Sequence, residues 1–268
     1  MDIGKKAKIE KIRASTGSEI FQDIIPAELF LTIVLNNNVI SVISCSPQNL
    51  VELTIGFLIN NGYIENYSDI NIINFCQDSL VKKKSGNKLN TQVEVNCKKI
   101  NLKELKYPKF ISPACGSIDE FLFQKSLSRI KSDIRVKSDV ILRLNLETIN
   151  SQKYKKELGG LHSAALFDKE GKILNLMEDI GRHNCLDKIT GYMLVNKIEF
   201  SDKIIFTTGR LSLDAVYKIC RMSVPVIVTN SSVTYSAVKQ AKKTNLTVIG
   251  YARGGRFNIY SSPERIIK

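Results

Sequence analysis

The chain has 268 residues, 39 Lys and Arg against 26 Asp and Glu for a formal charge of +13, and it is 43% hydrophobic and 24% charged. That length suits one large domain or two modest ones with a real core, and the composition is that of a globular protein. No apolar run approaches the roughly 18 residues of a membrane span, and the lysine-bearing first residues are not followed by the apolar segment of a secretory signal, so a cytoplasmic location is expected.

The positive balance favours acidic partners: nucleic acid, phosphorylated small molecules or an acidic protein surface. The basic residues are scattered, and there is no Trp and no stacked aromatic patch, so nucleic acid is not expected. A solvated basic surface and a dedicated anion site both stay open. Six cysteines (Cys45, Cys76, Cys97, Cys115, Cys185, Cys220) include no CxxC pair, which argues against a zinc ribbon or a thioredoxin-type centre. Cys45 ends a strand-like run and Cys220 lies on an apolar helical face; both read as core.

In chain order, residues 28–45 predict a hairpin turning at Asn36-Asn37-Asn38, because Asn tolerates the left-handed backbone of a tight turn. A helix should follow, with Ser46 as cap, Pro47 at its first position and Gly62 as its stop. Residues 65–105 are rich in Lys and Asn, with short strands such as TQVEVNC, and mark the edge of a first domain. The stretch FISPACGSIDEF (110–121) places Cys115 in a Pro- and Gly-marked loop. Ser117 and Glu120 beyond it form a capping-box pattern for another helix, and one more helix is expected over 138–152. Segment 1–137 is expected to form an N-terminal α+β region and 138–268 an α/β domain, a division that leaves open whether the two make one compact unit.

From about residue 160, strands alternate with helices: HSAALFD, KILNLME, GRHNCLDKITGYMLVNKI, KIIFTTG, SLDAVYKICRM, VPVIVTN, VTYSAVKQAKK and LTVIGYA. This alternation predicts an α/β layer with a largely parallel sheet. Four polar clusters punctuate it. EDIGRHNCLDK (178–188) falls where a strand meets a helix at Gly181. The helix start, with Arg182 and His183, can receive an anion, or the cluster is a well-capped helix with surface charges. His162 in GGLHSAAL is either structural or shares a site with His183, the only other histidine. TTGRLSLD (207–214) offers Arg210 and Ser212 as a phosphate cradle but is not a Walker motif. YARGGRF (251–257) is either a plain hairpin turn or a backbone that approaches a nucleotide phosphate between Arg253 and Arg256. A zinc site lacks a ligand set at the right spacing, so no metal of the protein's own is expected.

Taken in order, SPQNLVELTIGFLINNGYI, ACGS, GGLHSAALFDKEG, EDIGRHNCLDKITGYML, TTGRLS and VIGYARGGRFNIYSSPERI resemble the FdhD family, the accessory sulfurtransferases of formate dehydrogenases, from about residue 25 to 267. EDIGRHNxxDK is the most specific of these pieces. The resemblance implies a sulfur carrier required for formate dehydrogenase activity. Such a protein takes persulfide sulfur from a cysteine desulfurase and passes it to the molybdenum (or tungsten) of a bis(molybdopterin guanine dinucleotide) cofactor, before insertion into the dehydrogenase catalytic subunit. It also implies a homodimer, and a cytidine-deaminase-like three-layer C-terminal domain beside a smaller N-terminal α+β domain.

By position, Cys115 matches the first cysteine of the family's CGxCG loop, the persulfide carrier, while Ile118 stands where the second cysteine often lies. Tyr251, Ala252, Arg253, Gly254, Gly255 and Arg256 match the segment that contacts the guanine moiety. An ordinary thiol titrates near about 8.5. A place just before a helix start in a basic protein favours the thiolate, and Asp119 and Glu120 oppose it. The alternative function is a non-catalytic chaperone that binds and delivers the cofactor without transferring sulfur.

Overall fold

The computed structural model describes residues 2–15, 17–76, 89–100, 109–111 and 127–268. Cys115, Ile118 and the expected helix start at Ser117–Glu120 lie outside them. Strands β1 (Gly4–Arg13) and β2 (Gly17–Pro26) pair antiparallel into a ribbon whose side chains are mostly exposed. Strands β3 (Leu29–Leu35) and β4 (Asn38–Cys45) form the expected hairpin, with Asn36 and Asn37 left-handed at φ 44° and 66°. The Asn36 side chain also pairs with the backbone of Cys97, accepting from its N–H at 2.8 Å and donating to its carbonyl at 3.0 Å. That bond ties the turn to the next strand over.

Helix α1 runs over Leu50–Asn60, starting later than the Ser46-Pro47 pair predicts. Asn49 is its N-cap, and Ser46 is committed elsewhere: its N–H donates to Asp179 and its hydroxyl accepts from the N–H of Ile180. Gly62 does stop the helix. It takes φ 71°, and the N–H groups of Gly62 and Tyr63 return to the carbonyls of Ile59 and Leu58, which satisfies two orphan acceptors. Strands β5 (Ile70–Cys76), β6 (Leu89–Cys97) and β7 (Lys109–Ile111) complete a five-stranded sheet in the order β5-β6-β3-β4-β7. Leu53, Phe57 and Leu58 of α1 bury one face against Leu31, Ile33, Ile43 and Val93 of this sheet.

The rest of the chain builds a second sheet. Strand β8 (Val136–Lys137) leads into α2 (Ser138–Ser151), and α3 (Tyr154–Leu158) is one short turn. Then follow β9 (His162–Phe167), β10 (Ile173–Asp179), α4 (Arg182–Val195), β11 (Ile204–Thr207), α5 (Leu213–Met222), β12 (Val226–Thr229), α6 (Tyr235–Thr244), β13 (Thr247–Arg253), β14 (Arg256–Ser261) and β15 (Ile266–Ile267), which pairs with β8. The strand order is β10-β9-β11-β12-β13-β14, and only β11-β12 and β12-β13 are parallel. The sheet is therefore mixed rather than largely parallel, because the turns at 168–171 and 254–255 close hairpins at its two edges. Helix α2 covers one face through Val140, Ile141 and Leu144. Helices α4, α5 and α6 cover the other through Ile189, Ile219 and Ala241.

Two glycines bring the two layers together. Helices α1 and α4 cross where a Cβ on Gly56 would overlap the Asp187 carbonyl, and a Cβ on Gly191 would overlap the Glu52 carbonyl. Backbone meets backbone at both points, so neither position has room for a side chain. Gly56→Ala is expected to destabilise the protein by about 3 kcal/mol or more through overpacking, read from the urea midpoint. A midpoint equal to wild type would mean that the helices do not cross this closely.

Candidate functional site

EDIGRHNCLDK divides into an interior set and an edge set. Asp179 has no solvent exposure. It pairs with Lys188 at 2.6 Å and accepts from the N–H groups of Ser46 and Gly181 and from the Asn184 amide. That amide also donates to the Ser44 carbonyl. Asp187 accepts from Lys218 at 2.6 Å and from Asn60 of α1 at 2.8 Å. Glu178 caps α3, accepting from the N–H groups of Lys153, Tyr154 and Lys155. All five of these polar side chains are buried: Asp179, Asn184 and Asp187 tie the two layers together, Lys188 neutralises Asp179 and Glu178 caps α3.

Arg182 and His183 form the edge set, and the structure brings both beside His162. Asp179 at the end of β10 is the register partner of His162 at the start of β9, so the Gly181 turn delivers the start of α4 to that edge. The Arg182 side chain lies along Gly209 of TTGR, where a Cβ would fall 2.8 Å from the Arg182 Cβ and 2.9 Å from its Cδ. Arg210 follows, exposed, and Ser212 is the N-cap of α5. His183 is 5% exposed, and neither ring nitrogen makes a hydrogen bond among the described residues. Burial, then Lys218, Arg182 and His162, push His183 down to about 3. Burial, then Lys155 and Arg182, lower His162 as well. Both imidazoles are neutral at ordinary pH.

The hairpin between β13 and β14 carries Tyr251–Arg256. Gly254 and Gly255 are left-handed at φ 61° and 73°, as the tight turn requires, and Arg253 and Arg256 are exposed. Tyr251 is also left-handed, at φ 53°, where the ladder slips between Gly250 and Arg253. Ala252 is buried. Because β11, β12 and β13 are parallel, this hairpin leaves the same sheet edge as His162, Arg182, His183 and Arg210. It is three strands from β9, a span of about 14 Å at the usual strand spacing, so the two groups share an edge without touching through β11 and β12. The sequence reading missed Gly209, Asp214 and Lys218. The i, i+4 spacing of Asp214 and Lys218 on α5 was the available signal.

Cys45, Cys97, Cys185 and Cys220 are all buried free thiols. Burial pushes Cys97 and Cys220 up to about 11 and raises Cys45 and Cys185 further, with Asp179 reinforcing the last two. None of the four is set up as a thiolate. No described helix is long and apolar enough to cross a membrane.

A sequence profile of the FdhD/NarQ family matches residues 26–267. The chain belongs to that family. It is similar to proteins named sulfur carrier protein FdhD from Listeria innocua (32% identity over 99% of this chain and 100% of the relative) and from Sulfolobus acidocaldarius (30%, 98% and 98%). The one from Staphylococcus aureus MRSA252 is 35% identical over 90% of this chain and 88% of its own length. A crystal structure of a protein from Desulfotalea psychrophila, assigned as a formate dehydrogenase accessory protein, superposes with a TM-score of 0.79 over 99% of this chain and 100% of that one, at 24% identity. It shares the fold: a mixed α/β architecture with several sheets and, among the described residues here, six α-helices.

The neutral, buried His183 predicts acid sensitivity in this FdhD/NarQ member. Its folded value lies below the unfolded value near 6.5, so below that pH the unfolded chain binds a proton that the folded chain refuses. Stability contributed by neutral His183 is complete above the unfolded value and is lost as pH falls toward about 3. The loss from this group between about pH 7.5 and 5 is about 2 kcal/mol. Urea unfolding of wild type and His183→Gln across that range should show a flatter slope for the variant; equal slopes would contradict the assignment.

Proposed function

We propose that this chain is a sulfur carrier that matures a formate dehydrogenase, with Cys115 as the persulfide-bearing residue. The observation that supports this most directly is the sealing of Cys45, Cys97, Cys185 and Cys220 in the interior with raised thiols. Of the two remaining cysteines, Cys115 stands in the segment that matches the family's carrier loop. Its thiolate attacks the outer sulfur of a persulfide on a cysteine desulfurase. A new S–S bond forms on Cys115, the donor's S–S bond breaks, and the donor cysteine leaves as a thiolate. The outer sulfur then passes to the molybdenum of the bis(molybdopterin guanine dinucleotide) substrate. Arrival as sulfide needs two electrons, which a metal centre in its lower oxidation state supplies.

In this reading the Tyr251–Arg256 hairpin binds the guanine dinucleotide. Its two left-handed glycines leave backbone uncovered, and Arg253 and Arg256 flank them as anion clamps. The sheet with α2 on one face and α4–α6 on the other supports a cytidine-deaminase-like layout beside the N-terminal α+β part. A cytoplasmic homodimer that meets the desulfurase and the dehydrogenase catalytic subunit in turn completes the proposal.

Two substitutions test it. Cys115→Ala should keep guanine nucleotide binding, lose the mass gain of one sulfur atom after incubation with a desulfurase and cysteine, and leave the client dehydrogenase inactive. An active dehydrogenase matured by Cys115→Ala would overturn the carrier role. Arg253→Ala should weaken GDP binding about tenfold, the loss expected for a charge-assisted hydrogen bond, measured by calorimetry; unchanged affinity would remove the hairpin from the site.

A further inference from the structure

We propose that the corner where the N-termini of α4 and α5 meet, floored by His183 and Ser212, is a phosphate oxyanion site. Both helices are long enough for their first N–H groups to carry net positive character, and neither N-cap, Gly181 or Ser212, supplies a side-chain cap. Ser212 is a residue type that ordinarily caps. Its hydroxyl is instead buried without a hydrogen bond among the described residues. The two His183 nitrogens are in the same condition at the start of α4. Buried polar atoms left unpaired cost about 1–3 kcal/mol each, and a ligand rich in acceptor oxygens removes that cost for the two that carry a hydrogen, the Ser212 hydroxyl and the protonated nitrogen of neutral His183.

The surrounding charge selects an anion. The His183 ring faces Lys218, Arg182 and His162, and Arg210 is exposed at the rim. Lys218 is already paired with Asp187, and Asp179 with Lys188. Asp214, half-buried on α5 near Lys218 and Arg182, opposes the cations, and burial raises its carboxyl toward the neutral form. Arg182 and Arg210 together outweigh it. The same cations argue against a metal ion between His162, His183 and Asp214. Neutral His183 offers one N–H donor, Ser212 an O–H donor, and the helix starts their backbone N–H groups, all suited to phosphate oxygens. Gly209 makes this possible by letting Arg182 lie flat against the α5 approach.

The site goes beyond the cofactor reading, and its ligand is either a nucleotide phosphate or a free anion. The chain has only two histidines, so proton NMR gives two imidazole Cε1–H signals, and His162→Gln assigns them. Millimolar pyrophosphate is expected to move the His183 signal and to raise its apparent pKa by about one unit, as a nearby anion does. Arg182→Gln should weaken pyrophosphate about tenfold, and Asp214→Asn, which removes the opposing charge, should tighten it. The opposite signs keep the test decisive if Arg182→Gln folds poorly. Tighter binding of GDP than of inorganic phosphate and pyrophosphate would support a nucleotide phosphate as ligand; equal affinity would support the free anion. A His183 signal that pyrophosphate leaves in place overturns the site. GDP binding that depends on Arg253 but not on Arg182 would support the free anion as ligand, and leaves the cofactor reading intact. Pyrophosphate that moves His183 while GDP fails to bind keeps the site and removes the guanine reading.

Discussion

A carboxylate shut off from solvent, Asp179, accepts from Ser46 on one side and from Lys188, Gly181 and Asn184 on the other. Ser46 belongs to the connection out of the five-stranded sheet; the other partners belong to α4, which covers the six-stranded sheet. A second buried pair, Asp187 with Lys218, is joined from α1 by Asn60, which also reaches Thr190. Removing one partner of such a pair typically costs about 3–5 kcal/mol, because the survivor stays buried and charged. An apolar seam between α1 and α4 would tolerate sliding. Here a shift of one turn would pull the Ser46 N–H from Asp179 and the Asn60 amide from Asp187, so hydrogen bonds to the two buried carboxylates fix the register that the crossing at Gly56 and Gly191 makes sterically possible.

That fixed register also positions the candidate edge. Asp179 holds the Gly181 turn from below through the Gly181 N–H, and this sets where α4 begins. The next two residues, Arg182 and His183, then project over the edge shared with His162 and the TTGR loop. The loop is secured independently: Leu211 donates to the Ser232 carbonyl, Thr234 donates to the Leu211 carbonyl, and Thr229 donates to the Gly209 carbonyl. Edge and structural residues share one short motif because Arg182 and His183 open the first turn of α4 at the sheet edge, while Asp187 and Lys188 lie one turn further along the helix, inside the protein. A specific sequence motif can therefore owe most of its specificity to the docking of two layers.

The parts of the fold that depend on local chemistry were legible in the sequence. Asn36-Asn37 turned a hairpin, Gly62 closed α1 and the alternation after residue 160 marked β9 to β13 and α4 to α6, with β14 implied only by the hairpin-turn alternative for YARGGRF. Strand order was not legible, since a hairpin at each edge converts a sheet that reads as parallel into a mixed one without changing the alternation. Ser46 misled because a Ser-Pro pair before an apolar run has the local look of a helix start. Its hydroxyl and N–H were claimed by residues far along the chain, and no local rule reports that. Polarity in EDIGRHNCLDK suggested exposure for the same reason: a buried charge and a solvated one are written with the same letter. The pairing of His162 with His183 was legible only as a coincidence of placement until the register of β9 and β10 put them on one edge.

The proposed sulfur-carrier role bears on how the four described cysteines are placed. A relay between two thiols requires a second sulfur that is both reachable and ionisable. By the family resemblance, Ile118 stands where the second cysteine of CGxCG often lies. Cys45 and Cys185 lie beside the Asp179–Lys188 pair, where burial first and then the Asp179 carboxylate raise their thiols. Cys97 and Cys220 are likewise raised by burial. Opening any of these to a persulfide would mean opening one of the two cores that hold them.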